Sequence, residues 1–189
     1  MLHSPGRYPP VRMKHPHARR SDLVFHWPEP SLHVVLVEPE IPPNTGNIAR
    51  TCAATGTQLH LIEPMGFTIT DARLKRAGLD YWDSIQPQVH RDFEAWRATA
   101  GDRRFHLFST GARRSYLDER YQAGDAFVFG PETRGLSDSL LARYPDHVLG
   151  IPIQTQHVRS LNLSAAAALV LYEALRQIHA RAQHAGPRP

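Results

Sequence analysis

Cysteine is almost absent from this sequence and long apolar runs are missing altogether, and both absences narrow what the chain can be. Cys52 stands alone among 189 residues, so neither an intrachain disulfide nor a cysteine metal cluster can form, as expected in a reducing compartment. The favoured reading of that thiol is a buried small hydrophobe. No segment reaches the roughly 18 apolar residues of a membrane span, and the N-terminus lacks the apolar stretch of a signal peptide. The expectation is a soluble, cytoplasmic protein with no membrane partner. Familiar cofactor signatures are missing as well: no G-x-G-x-x-G follows the first strand, and there is no G-x-x-x-x-G-K-[ST] and no G-x-S-x-G elbow. Of the twelve histidines none falls in an H-E-x-x-H context, so no metal is expected. Dinucleotide, nucleoside triphosphate and hydrolase readings all weaken.

Charge is present but unevenly spread. The net charge is +4 and the isoelectric point about 9.6. Residues 1–30 carry Arg7, Arg12, Lys14, Arg19 and Arg20 against Asp22 and Glu29, a net of +3, which leaves +1 for the rest. A uniformly basic binding domain is therefore excluded, and any phosphate-binding surface on the globular part must come from local clusters such as Arg73, Lys75 and Arg76, or Arg113 and Arg114. The first thirty residues also hold six prolines and four histidines without helix or strand period, and read as a flexible extension. Three segments follow from this: an extension over 1–30, one folded domain over 31–182 and a frayed tail over 183–189.

Within the domain, Leu32 to Glu38 is a valine-rich apolar run suited to a strand buried on both faces. It runs into Pro39, Pro42 and Pro43, which forbid helix, and then Asn44 and Thr45 offer caps for a helix through Ala54, closed by Gly56. Leu59 to Glu63 reads as a second strand, and Asp71 as the cap of a following helix. Asp92 to Ala100 reads as a helix with Phe93 and Trp96 on one face. Phe105 to Ser109, Ala126 to Phe129 and Val148 to Ile153 read as strands, with helices over Ser137 to Tyr144 and Ser164 to Ala182. Strands alternating with helices predict an α/β domain with a mostly parallel sheet flanked by helices.

In such sheets ligands collect beyond the carboxyl ends of the strands, so the strand-to-helix loops are the candidate sites. Three are unusual. Pro42 to Arg50 (PPNTGNIAR) sets Asn44, Asn47 and Arg50 at a helix start around Gly46; helix capping alone would leave Arg50 unexplained. Phe129 to Leu136 (FGPETRGL) holds Glu132 and Arg134 in a glycine-bounded turn, where a solvated ion pair is the plainer alternative. Gln154 to Ser164 spaces Ser160, Asn162 and Ser164 two apart, presenting one edge to a ligand unless one of them caps the helix.

At these loops the sequence resembles the TrmL (YibK-like) family of SPOUT methyltransferases. The resemblance runs from about His33 to Ile178 and rests on VEPEIPPNTGNIARTCAATG, LHLIEPMGF, RLKRAGLDYW, FGPETRGL, and IPI followed by RSLNLSAAAALVLYEA. It implies an α/β fold with a deep C-terminal trefoil knot and a homodimer with the active site at the interface. The implied co-substrate is S-adenosylmethionine, held mainly by main-chain groups of Phe108, Gly130, Ile151, Ser160 and Leu161. The implied reaction is methylation of the ribose 2'-hydroxyl at the wobble nucleotide of tRNA (position 34, cytidine or uridine), in leucine isoacceptors, with no DNA partner. Arg50 would handle the hydroxyl proton, with Asn44, Glu132, Ser160 and Asn162 orienting it or the substrate, and Tyr172 would lie at the dimer interface. Residues 1–30 have no counterpart in this pattern. A SPOUT enzyme acting on another tRNA site or on ribosomal RNA is the nearest alternative; a non-catalytic RNA-binding dimer and a nicotinamide enzyme are the rivals from other classes.

Overall fold

The computed structural model describes residues 24–68, 85–154 and 157–184. The basic cluster at 73–76, the RLKRAGLDYW segment and the helix expected after Asp71 lie outside the described residues. Among those described, six strands form one parallel sheet: β1 (His33–Val37), β2 (Gln58–Ile62), β3 (Gln88–His90), β4 (Phe105–Phe108), β5 (Ala126–Phe129) and β6 (Val148–Leu149). Their order is β3-β2-β1-β5-β4-β6. The helices are α1 (Pro42–Thr55), α2 (Phe93–Ala100), α3 (Asp138–Arg143) and α4 (Leu163–His184), with single 3-10 turns at Tyr116–Asp118 and Pro145–His147. None is long and apolar enough to cross a membrane.

The apolar runs do what parallel strands require: β4 and β5 are buried at every residue, and β1 at all but its last. Alternation along each strand then divides the core in two. Val34 and Leu36 of β1 join Phe127, Phe129, Ile48, Cys52, Val170 and Leu171 beneath α1 and α4. Val35 faces the other way, with Ile62, Leu107, Val128, Phe93 and Trp96 under α2. Alanines at 167 and 174 let α4 lie close over the first of these clusters. Cys52 is buried there and burial pushes its thiol up to about 12, which makes it an inert core residue.

Three expectations need correction. Pro42 and Pro43 do not forbid helix; they start it, because the first turn has no intrahelical use for the N–H that proline lacks. Asn44 and Thr45 therefore sit in the first turn of α1 instead of capping it, and the cap position, Ile41, has no side-chain hydrogen bond. The strand expected over Val148 to Ile153 stops at Leu149, continuing only as a bridge between Gly150 and Ser115 before Pro152, which offers no ladder donor. The short β3, mostly exposed and only three residues long, has no apolar run to reveal it.

Residues 24–30, which the sequence reading gave to the extension, run beside α4. Phe25 stacks on His179 at a centroid distance of 4.5 Å and 11° and packs against the core.

Candidate active site

β1 leads through α1 to β2 on one side of it, while β5 flanks β1 on the other, so the direction of winding changes between β1 and β5. That is where an open parallel sheet leaves a crevice at its carboxyl ends. The loops from both strands converge there. β1 is followed by Glu38, which adopts a left-handed conformation (φ 48°), and its amide still bonds the Ile62 carbonyl at 2.9 Å. A non-glycine residue held in this region costs on the order of 1 kcal/mol, and the bend turns the following residues toward the β5 loop.

That loop supplies what α1 lacks. Glu132 accepts hydrogen bonds from the amides of Glu40 (2.8 Å) and Ile41 (3.3 Å), so a carboxylate from β5 stands at the start of a helix whose own cap residue is apolar. The positive end of the helix dipole favours it there. The Asn44 side chain donates to Glu132 at 3.0 Å, and Asn162, just before α4, donates to the Asn44 side-chain oxygen at 2.9 Å. One chain of hydrogen bonds thus joins all three loops singled out in the sequence. Asn162 is also the cap of α4: its oxygen accepts from the Ser164 amide (2.9 Å), the Ser164 hydroxyl (2.7 Å) and the Ala165 amide (3.4 Å). Its two roles fix the orientation of the amide, since oxygen and nitrogen face different elements.

The expected edge of Ser160, Asn162 and Ser164 is therefore divided: Asn162 and Ser164 bond each other within the cap, and Ser160 is exposed before it. Glu132 does not pair with Arg134 either. Arg134 reaches Glu38 and Glu40, and Thr133 bonds Glu40 through both its amide (3.1 Å) and hydroxyl (2.9 Å). Glu38 and Glu40 are the functional-loop residues that sequence reasoning missed; the acidic pair in VEPE is the signal that was there to find. Arg50 stands six residues beyond Asn44, roughly 9 Å along the helix, on the exposed face that also carries Asn47. Tyr172 is 54% exposed on α4 and Leu169, one turn before it, is 46% exposed, so the aromatic is not a core residue.

On the other side of β5 lie the main-chain positions expected to hold a co-substrate. Ladder pairing of β4 with β5 and β6 brings the ends of the three strands together, and with them Phe108, Gly130 and the IPI segment containing Ile151. The Phe108 ring stacks inward on Phe129 at 4.8 Å, which leaves only its main chain for a ligand. Gly130 has no room for a side chain: a Cβ would fall 2.3 Å from the backbone of Gly135 and Leu136. Its loop folds back on itself and offers bare backbone at the strand end. Leu161 is 37% exposed beside Ser160. A cleft of about 420 Å³ adjoins this region, with Ile151 on its wall.

Elsewhere the sheet carries a second polar chain. His33, His60 and His90 lie on successive strands, with ring nitrogens 2.9 Å apart between the first two and 3.1 Å between the next. Burial lowers all three pKa values, pushing His33 down to about 4 and His60 to about 3, with the nearby Arg103 cation adding to the effect on both. They run in a line across β1, β2 and β3; among the described residues no three such groups converge on a point that could hold a metal ion.

Comparison with known proteins places this architecture. The SpoU rRNA Methylase family matches residues 31–172. A protein of Methylovorus glucosotrophus named tRNA (cytidine(34)-2'-O)-methyltransferase is 50% identical over 145 residues, covering 76% of this chain and 94% of the relative. A solved structure, described as giving insights into 2'-OH methylation of C/U34 on tRNA, superimposes with a TM-score of 0.74 at 47% identity, over 77% of this chain and 95% of that one. The SpoU methyltransferase AviRb of Streptomyces viridochromogenes, solved with AdoMet, gives a TM-score of 0.66 at 25% identity, over 82% of this chain and 58% of its own.

Proposed function

The chain belongs to the SpoU rRNA Methylase family, and from that premise we propose that it methylates the ribose 2'-hydroxyl of nucleotide 34 of tRNA, cytidine or uridine, in leucine isoacceptors, using S-adenosylmethionine in the cytoplasm. The observation that carries the reading is the hydrogen-bond chain Glu132–Asn44–Asn162, which draws all three family-like loops to the β1/β5 crevice.

When bound, S-adenosylmethionine supplies an electrophilic methyl on a sulfonium. The residues at the strand ends fit such a ligand: backbone at Gly130, the main chain of Phe108 and Ile151, and the exposed Ser160–Leu161 segment supply main-chain groups for it. The ribose oxygen forms its new bond to carbon as the carbon–sulfur bond breaks, the electron pair stays on sulfur and the hydroxyl proton leaves to water. Arg50 polarises that hydroxyl or holds the adjoining phosphate, since a guanidinium keeps its proton in a protein and does not serve as a base. Glu132, Asn44 and Asn162 hold the loops in register, and Ser160 orients the substrate. Positioning of this kind supplies much of the rate of a bimolecular transfer.

Two further features of the family resemblance belong to the same proposal, the C-terminal trefoil knot and the homodimer. Leu169 and Tyr172, exposed one turn apart on α4, support an apolar contact between two copies.

The test is transfer of labelled methyl to tRNA lacking its wobble 2'-O-methyl group, with the product nucleotide located by mass spectrometry. Methylation at position 34 that is lost in Arg50→Ala is the expected result. Methylation at another site would move the substrate, and no transfer to any tRNA or ribosomal RNA would overturn the reading.

A further inference from the structure

Among the described residues, the cleft of about 420 Å³ between the β4 loop and the segment after β6 is lined by three arginines, Arg113, Arg114 and Arg159, and by no acidic side chain. They are not equivalent. Arg114 is engaged, donating to Glu119 at 2.8 Å and to the Asp146 carbonyl at 2.6 Å. Arg113 and Arg159 are exposed, and neither makes a hydrogen bond or ion pair with any described residue. Several other surface arginines are committed: Arg104 to Asp125 and Glu119, Arg134 to Glu38 and Glu40, Arg143 to Glu94 and Arg176 to Glu173. Two guanidiniums left uncompensated on one concave wall form a local positive potential on a domain whose charge is otherwise nearly balanced.

We propose that Arg113 and Arg159 form a phosphate-binding pair that grips the RNA backbone beside the methyl-transfer site. The sign of the cleft decides between the two anionic groups a ligand could bring there. S-adenosylmethionine has one carboxylate but also an ammonium and a sulfonium, so a cationic wall disfavours the molecule as a whole. A phosphodiester chain is anionic at every residue, and arginine meets its non-bridging oxygens with two parallel donors. Position agrees with this assignment. Arg159 immediately precedes Ser160, and Ile151 is shared between the cleft wall and the expected co-substrate positions, so a phosphate held here adjoins those positions.

This inference rests on RNA being the substrate. The experiment measures binding of unmodified tRNA to the full chain across a series of salt concentrations, for the wild type, Arg113→Gln, Arg159→Gln, the double variant and Arg113→Lys, with S-adenosylmethionine affinity measured by calorimetry in each. Each glutamine variant is expected to weaken tRNA binding about ten-fold and to flatten the slope of log K against log salt by about 0.7 to 0.9, the value of one phosphate contact. Arg113→Lys keeps the slope, and co-substrate affinity is unchanged throughout. If the glutamine variants bind tRNA like the wild type, or lose S-adenosylmethionine instead, the pair is not a phosphate site. A wild type that binds no RNA would sink the substrate reading itself.

Discussion

Two chains of hydrogen-bonded polar side chains cross this molecule, and they are built on opposite principles. His33, His60 and His90 run across three strands on the α2 side of the sheet, each ring satisfied by the next, and burial keeps them neutral. Glu132, Asn44 and Asn162 run across three loops at the carboxyl ends of the strands, anchored on a carboxyl group that accepts from two backbone amides at a helix start. The first chain is closed and faces the core. The second lies at a crevice, next to Ser160 on the chain and to Arg50 one and a half turns along the helix. A polar network inside a sheet can be purely architectural; one that ties strand-to-helix loops together at a winding reversal also sets the positions of the groups around it.

The largest effect should fall on a residue beside the second chain. Arg50→Ala is expected to lower methyl transfer by about 100- to 1,000-fold, the loss seen when one charge-stabilising donor is removed, with the melting temperature unchanged because the side chain is exposed. Equal losses of activity and melting temperature would merge catalysis with architecture and erase the distinction. Glu132→Ala should act on both, leaving the Glu40 and Ile41 amides and the Asn44 amide group without their acceptor; denaturant unfolding should report a loss of about 2–3 kcal/mol.

The histidine chain is broken by acid instead. His33 and His60 have folded pKa values below the usual 6.5, so the unfolded chain takes up protons first as pH falls. Their contribution is complete above about pH 6.5 and is lost as pH falls from there to about 4 for His33 and about 3 for His60. For His33 alone, moving from pH 7 to pH 5 should cost on the order of 2 kcal/mol of stability, and His33→Gln should flatten that dependence in urea titrations at the two pH values. A pH profile identical to wild type would show that the histidines are charged within the fold. The smallest effect is expected for Asn162→Asp, which keeps the α4 cap and removes the donor to Asn44: about 1 kcal/mol in stability, with activity falling further than stability does.

The two chains differ just as much in how far the sequence reveals them. The loops of the second were legible because their residues cluster in three short polar segments, each placed after an apolar run that could only be a strand. What remained hidden was which groups meet: Glu132 looked like a partner for Arg134 and Asn44 like a helix cap, because local spacing cannot show that a carboxylate 88 residues away takes over the helix start. Proline at 42 and 43 pointed the wrong way for a related reason, since its exclusion from helices does not extend to the first turn. The histidine chain was invisible. Its members are 27 and 30 residues apart, and only the register of neighbouring strands brings them into line. Of the positions expected to hold the co-substrate, Gly130 is the one whose residue type is dictated by contact, while Phe108 can contribute main chain alone.

The bond between Asn44 and Asn162 spans 118 residues. The first loop of the site therefore waits for the last helix: a nascent chain that has made β1 and α1 holds half of a receptor whose fastening has yet to be synthesised. Contacts of such separation are among the last that a folding chain can afford to close. Assembly of the crevice in this protein is consequently a late event in its biogenesis, and a polypeptide cut short before Asn162 lacks the donor that fastens the Asn44 loop.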